Sequence, residues 1–221
     1  MTAIRVCATH EDDPALAADA LANALGPDDA SLVVFFSSFR YPFQALAALV
    51  AERFPGAVTV GCTTAGEIGP DGCTVGGISA VSLSAPCVAR ATVVDLEQFH
   101  FEDGESIVQD LSKQLGRDIS PGEHVFITLT DGLSGMEEIL IASLGTYAPG
   151  VRLVGGSAAD DWQFKETWVA ADGVAKTGAA VVLLLQPGVP FHTFHLHHFE
   201  PTQTRVVVTG ADAQKRLVHE L

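Results

Sequence analysis

The residues best suited to chemistry fall in two short stretches that read alike. "VGCTTAGEIG" holds Gly61, Cys62, Thr63, Thr64 and Glu67, and "VGGSAADDWQ" holds Gly155, Gly156, Ser157, Asp160, Asp161 and Trp162. Each passes from an apolar approach through glycine into small and hydroxyl residues, then acid. Glycine admits a ligand close to the backbone, and the hydroxyls both donate and accept. The pattern fits two polar corners facing one ligand cleft, and it also fits two tight strand exits that need small residues for packing. Arg40, in "SSFRYPF", is one of few cations in an acidic chain. A guanidinium at a strand exit can hold a carboxylate through two hydrogen bonds. If the ligand is an amino acid, Asp160 or Asp161 would meet its ammonium; the alternative for Arg40 is a surface salt bridge. The matching loop, "DGLSGME", offers Asp131 and Ser134 instead, and is not a G-x-S-x-G nucleophile elbow.

Cys62 is the one candidate nucleophile in the corners. It would need a histidine base and an oxyanion hole, and its counterpart Gly156 has no side chain. The four cysteines form no C-x-x-C pair and no disulfide framework, so they read as small buried hydrophobes. The run "FHTFHLHHF" places His195 and His197 on one face of a strand and His192 and His198 on the other. That suits the wet face of an edge strand. It also leaves open haem ligation by one histidine, or a transition-metal site. Trp162, Phe164 and Trp168 alternate onto one face and would wall a pocket or fill a core. "GPDGCTVGG" lacks the Lys-Ser/Thr ending of a phosphate loop and reads as a turn or flap.

Gly61 and Gly155 lie 94 residues apart, and the same offset brings Pro55-Gly56 onto Pro149-Gly150 and "LVVFF" onto "FITLT" without a gap. Each half has an amphipathic helix (Leu16, Leu21, Leu25; Ile107, Leu111, Leu115), a buried strand, a second helix, and a strand ending at a glycine corner. Two further strands follow each corner, and an extra strand, "AIRVCAT", precedes the whole. "DDWQFKETWVAADGVAK" reads as an inserted hairpin, and "TRVVVTGADAQKRLVHEL" as a strand with a helix opening near Ala211. Strands separated by helices imply parallel pairing by crossovers, and the short later links imply antiparallel hairpins. The expected fold is α/β, with mixed sheets and two pseudo-symmetric halves from an internal duplication. The pseudo-repeats span about 10–97 and 103–199 of a 1–221 domain, with 200–221 opening a C-terminal portion or linker.

Composition narrows the function. With 48% hydrophobic and 18% charged residues in 221, the chain can bury a sizeable core. A formal charge of −15 opposes nucleic acid and anionic lipid. No apolar run reaches bilayer-spanning length, and no secretory signal pattern opens the chain, so a cytoplasmic protein is expected.

"VGCTTAGEI" followed by "LVGGSAADDWQFKETWV…DG…KTGAAVVLLL" resembles the FIST sensory domain of bacterial signal-transduction and eukaryotic F-box proteins. The likeness runs from the first helix to the final strand. It implies a sensor rather than an enzyme, with a small-molecule ligand such as an amino acid. It also implies a signalling partner such as a histidine kinase or a cyclic-dinucleotide enzyme. One branch is similar to haem-containing nitric oxide sensors, which would give haem a role through His192, His195, His197 or His198; otherwise no cofactor is implied. Family members continue into a C-terminal portion, and the chain ends near where it would begin. A cysteine-dependent small-molecule hydrolase built on Cys62 is the enzyme alternative, and a partner-binding scaffold the other.

Overall fold

The computed structural model describes residues 3–194, 199–213 and 217–221. The chain begins with β1 (Ile4–Thr9), α1 (Pro14–Leu25), β2 (Ala30–Ser38), α2 (Phe43–Arg53) and β3 (Val58–Thr64). A small hairpin, β4 (Glu67–Gly69) and β5 (Gly72–Thr74), precedes β6 (Ile78–Ser84). Next come β7 (Val88–Asp95), α3 (Asp103–Leu115), β8 (Val125–Thr130), α4 (Glu137–Tyr147) and β9 (Arg152–Ser157). A second hairpin, β10 (Val169–Ala171) and β11 (Val174–Lys176), precedes β12 (Ala179–Gln186), and β13 (Gly210–Asp212) and β14 (Leu217–Glu220) close the chain.

Local chemistry sets the element ends. Asp13 caps α1 by accepting from the N–H groups of Ala15 and Leu16, and Pro14 stands where its missing N–H costs nothing. Gly26 and Gly116 end α1 and α3 in the left-handed region, at φ 70° and 77°. Alternation along β12 is the clearest core signal: Ala180, Val182 and Leu184 pack with one cluster, and Val181, Leu183 and Leu185 with another.

One sheet has the order β1-β6-β2-β3-β10-β11, the other β7-β12-β8-β9. Pairs β2–β3 and β8–β9 are parallel, each joined by a helical crossover, and the other pairs in these sheets are antiparallel. Leu21, Leu46 and Val50 of α1 and α2 pack on the first sheet with Val33 and Phe35. Leu111, Leu140 and Leu144 of α3 and α4 pack on the second with Phe126 and Val182. Leu32, Val34 and Val60 of the first sheet meet Val125, Leu129 and Val181 of the second between them. The layers are therefore helix, sheet, sheet, helix, and the mixed α/β expectation holds.

The runs β1-α1-β2-α2-β3-hairpin-β6 and β7-α3-β8-α4-β9-hairpin-β12 follow the same path, and α2 and α4 are 94 residues apart at both ends. The likeness is one of connectivity. Its phase differs from the expected 10–97 and 103–199. Strand β7, expected to end the first half, opens the second path in the place β1 holds in the first. Residues 191–194, expected to start a matching last strand, lie in no strand, and His195, His197 and His198 fall outside the described residues. The "inserted" hairpin β10–β11 has a counterpart in β4–β5, with Asp71-Gly72 matching the Asp172-Gly173 turn. In place of the expected helix near Ala211 lies β13, paired antiparallel with β14 through a bulge at Gly210/Ala211. Two compact units emerge, Met1–Phe191 and His192–Leu221, a boundary eight residues before the expected one.

Close approach of strands explains a glycine in each corner, Gly61 and its counterpart Gly155, where a Cβ would run into the Thr128 carbonyl oxygen, but not Gly156. A Cβ at Gly61 would stand 2.6 Å from both the ring and the carbonyl oxygen of Phe35, whereas one at Gly156 meets nothing within 4 Å. Gly61→Ala is expected to cost about 1–3 kcal/mol through forced displacement, and Gly156→Ala to stay within about 0.5 kcal/mol of wild type. Urea denaturation of the two variants checks the contrast.

Candidate functional site

The two corners meet where the segment after β9 crosses from the second sheet to the first. Ala158 donates to the Thr130 carbonyl (2.7 Å), and one residue on Ala159 donates to the Thr63 carbonyl (2.9 Å). At the far end Thr63 donates its N–H to Trp168 (3.0 Å), while its Oγ1 accepts the Trp168 N–H (3.0 Å). Buried Asp131 secures the other side. Its Oδ1 accepts from the Leu133 N–H (2.8 Å) and the Thr167 hydroxyl (2.5 Å), and its Oδ2 from the Gly178 N–H (2.6 Å). Thr63 and Asp131 thus clamp both ends of residues 158–168 with groups that water does not reach.

Within this crossing Asp160 folds a turn around itself. Its carboxylate accepts from the N–H groups of Phe164 (2.9 Å), Lys165 (2.7 Å) and Glu166 (3.1 Å). Burial works to raise its pKa, but these backbone donors prevail and hold it below the ordinary carboxylate value. The turn forces Asp161, Trp162 and Phe164 to φ of 55°, 64° and 53°. For bulky residues that region is strained. Trp162 and Phe164 are 79% and 70% exposed and meet edge to face at 6.3 Å. Asp172 also has positive φ, but it sits with Gly173 in a two-residue hairpin turn that calls for this geometry.

A cleft of about 390 Å³ lies against the crossing, with Asp131, Ser134, Lys165, Thr177 and Glu97 among its walls. A neighbouring one of about 360 Å³ shares Glu166 and adds Trp168, Phe39 and Tyr41. A larger cavity, about 570 Å³, lies away from the crossing and includes Thr59, Arg90 and Asp172. Its charges are already engaged: Arg90 donates to the Gln114 and Ala89 carbonyls, and Asp172 Oδ1 accepts from Thr59. The clefts at the crossing are the better candidates because the strained residues of the Asp160 turn adjoin them.

The structure sorts the residues picked out by sequence. Thr63 clamps the ends of the crossing, Asp160 folds its middle, and Asp161 and Trp162 lie in its strained turn. Glu67, buried, accepts from the Thr64 hydroxyl (2.8 Å) and the Gly77 N–H (2.9 Å) and so anchors the β4–β5 hairpin. Gly61 and Cys62 lie beside β10 in the same sheet, opposite Ala170 and Val169. Burial pushes the Cys62 thiol up to about 12, which leaves it protonated at neutral pH. Gly155, Gly156 and Ser157 are exposed on the sheet edge, so the glycines of the two corners do not face one cleft. Arg40 pairs with Asp12 (2.6 Å) and donates to Tyr41 Oη and the His10 carbonyl. It thus takes the salt-bridge alternative. His192 is exposed, outside any strand. Of the cleft residues, Lys165 and Thr177 lie within the stretch that carries the family resemblance but were not singled out, and Glu97 lies in no motif; the usable signal was Asp131, set opposite Arg40 in the matching loops.

The site therefore belongs to a four-layer α/β domain with ligand-sized clefts beside one strained crossing. The FIST N domain model matches residues 31–221, and the chain belongs to that family, a family of sensory domains in signal transduction. No curated protein matches the chain. Among solved structures it is similar to the cyanuric acid hydrolase of A. caulinodans, at 10% identity and a TM-score of 0.43, covering 83% of this chain and 70% of that one. No helix among the described residues is long and apolar enough to cross a membrane.

Asp160→Asn is expected to lower stability by about 2 kcal/mol at neutral pH, through weaker charge-assisted bonds to the turn. The carboxylate's contribution is full above the ordinary value near ~4 and is lost as pH falls through the lower folded value. Melting curves of wild type and variant should therefore converge in strong acid.

Proposed function

We propose that this domain is a non-catalytic sensor that binds a free amino acid in the cleft between Asp131–Met136 and Lys165–Thr167. The observation that supports this most is the strained turn at Asp161, Trp162 and Phe164. Each such residue costs about 1–3 kcal/mol and persists where the strain has a use. Lys165 on one wall suits a carboxylate, and Glu97 on another suits an ammonium. A zwitterion supplies both charges without burying a net charge.

Signalling follows from differential affinity. A ligand that contacts Lys165 favours one arrangement of the 160–168 crossing over another, and only that difference moves the equilibrium. The exposed Trp162–Phe164 pair would carry the change to a signalling partner, of the histidine-kinase or cyclic-dinucleotide class that family likeness suggests.

A thermal-shift screen of the free amino acids tests this. A true ligand at about a hundred times its Kd adds about 2.7 kcal/mol, raises the melting temperature and alters tryptophan emission. Lys165→Ala should abolish the shift while leaving the unliganded melting temperature unchanged. A screen without any stabilising amino acid would sink the reading.

A further inference from the structure

An α-amino acid carries the same ammonium and carboxylate whatever its side chain, so the walls beyond Glu97 and Lys165 decide which one fits the cleft. Neither of these two charged heads has a partner among the described residues. The other two acids on the walls are spent. Asp131 is buried and accepts from the N–H groups of Leu133 (2.8 Å) and Gly178 (2.6 Å) and from the Thr167 hydroxyl (2.5 Å). Glu166 accepts the Trp168 indole N–H (2.9 Å). Neither acid is left to pair with a basic side chain, and their charge repels an acidic one.

Gly178 ties the Glu97 end of the cleft together. Its N–H meets Asp131, its C=O accepts from the Leu96 N–H (2.8 Å), and its φ is 57°. A Cβ at this position would stand 3.3 Å from Glu97 Oε1. The missing side chain is what lets the Glu97 carboxylate lie against the backbone.

Leu96, Leu133 and Met136 supply the apolar part of the wall. Leu96 and Met136 belong to the core cluster under α3 and α4, whereas Leu133 is 44% exposed and packs with none of the three clusters. Its loop is nevertheless tied down. Beyond the Asp131–Leu133 bond, the Asp131 carbonyl accepts from the Ser134 N–H (3.2 Å) and hydroxyl (2.7 Å), and Ser134 Oγ accepts the Met136 N–H (3.3 Å). A leucine turned out of the core on so well bonded a loop is a preformed apolar surface, and using it carries little ordering cost.

We propose that the cleft selects amino acids with a large apolar side chain, of the leucine, methionine or phenylalanine class. That side chain lodges against Leu96, Leu133 and Met136 while Lys165 holds the carboxylate and Glu97 the ammonium. The inference rests on the reading of the cleft as an amino-acid site and adds the basis of its selectivity.

Isothermal titration of the full chain with leucine, methionine, alanine, glutamate and lysine tests it. Leucine and methionine are expected to bind at least about a hundredfold more tightly than alanine, and glutamate and lysine no more tightly than alanine. Leu133→Ala, at an exposed position, should narrow the leucine-to-alanine ratio by about tenfold and leave alanine's own affinity unchanged. Glu97→Gln should weaken every amino acid alike and leave the ratio intact. Both variants should keep the wild-type circular dichroism spectrum. Alanine, glutamate or lysine binding as tightly as leucine, or a ratio that survives Leu133→Ala, would overturn the selectivity and leave the amino-acid reading standing. Binding by none of the five, with no stabilising amino acid in the wider screen, would remove the reading and the selectivity together.

Discussion

The antiparallel pairing of β10 with β3 is the contact on which the rest of the molecule depends. Ala170 lies opposite Gly61 and Val169 opposite Cys62, so small residues meet where two polypeptide paths are joined. The pairing commits the chain to cross from the second sheet to the first over residues 158–168. That crossing must find partners for its own backbone away from water. Thr63 and Asp131 supply them at the ends and Asp160 in the middle. The strained aromatic turn and the clefts beside it are consequences of this one commitment.

Much of the fold was legible because its signals are local. The alternation in "GAAVVLLL" and the helical spacing of Leu140 and Leu144 each report a nearest-neighbour geometry, and the 94-residue offset shows the same local patterns recurring in order. What misled was phase. Strand β7 reads as the partner of β6 because a short link joins them, yet β7 pairs with β12, and β1 takes the place beside β6. No local pattern states which of two successive strands closes one sheet and which opens the next. Likewise "DDWQFKETWVAADGVAK" was rightly read for a hairpin, but its edge partner is over a hundred residues away.

The candidate site was legible to a lesser degree, for a related reason. Thr63, Asp160, Asp161 and Trp162 were found because they sit beside glycine corners. Lys165, Glu97 and Thr177 were not, since one tip of each comes from a different element and only the crossing brings them to one wall. Arg40 and Glu67 show the converse. Each has the chemistry a ligand would want, and each is occupied by a neighbour, Asp12 for the guanidinium and Thr64 with Gly77 for the carboxylate. Residue type announces what a group can do, whereas its availability depends on partners distant in sequence.

The same crossing bears on how the chain reaches its native state. The bonds that complete the first sheet span 105 residues between Trp168 and Thr63 and 113 between Thr59 and Asp172. Loop closure over such distances must precede the reward, and high contact order slows folding. As the chain leaves the ribosome, β1, β2, β3 and β6 emerge before the strand that covers the β3 edge. Until β10 arrives, that edge is open to other chains, and the nascent first sheet is the species most in need of a chaperone.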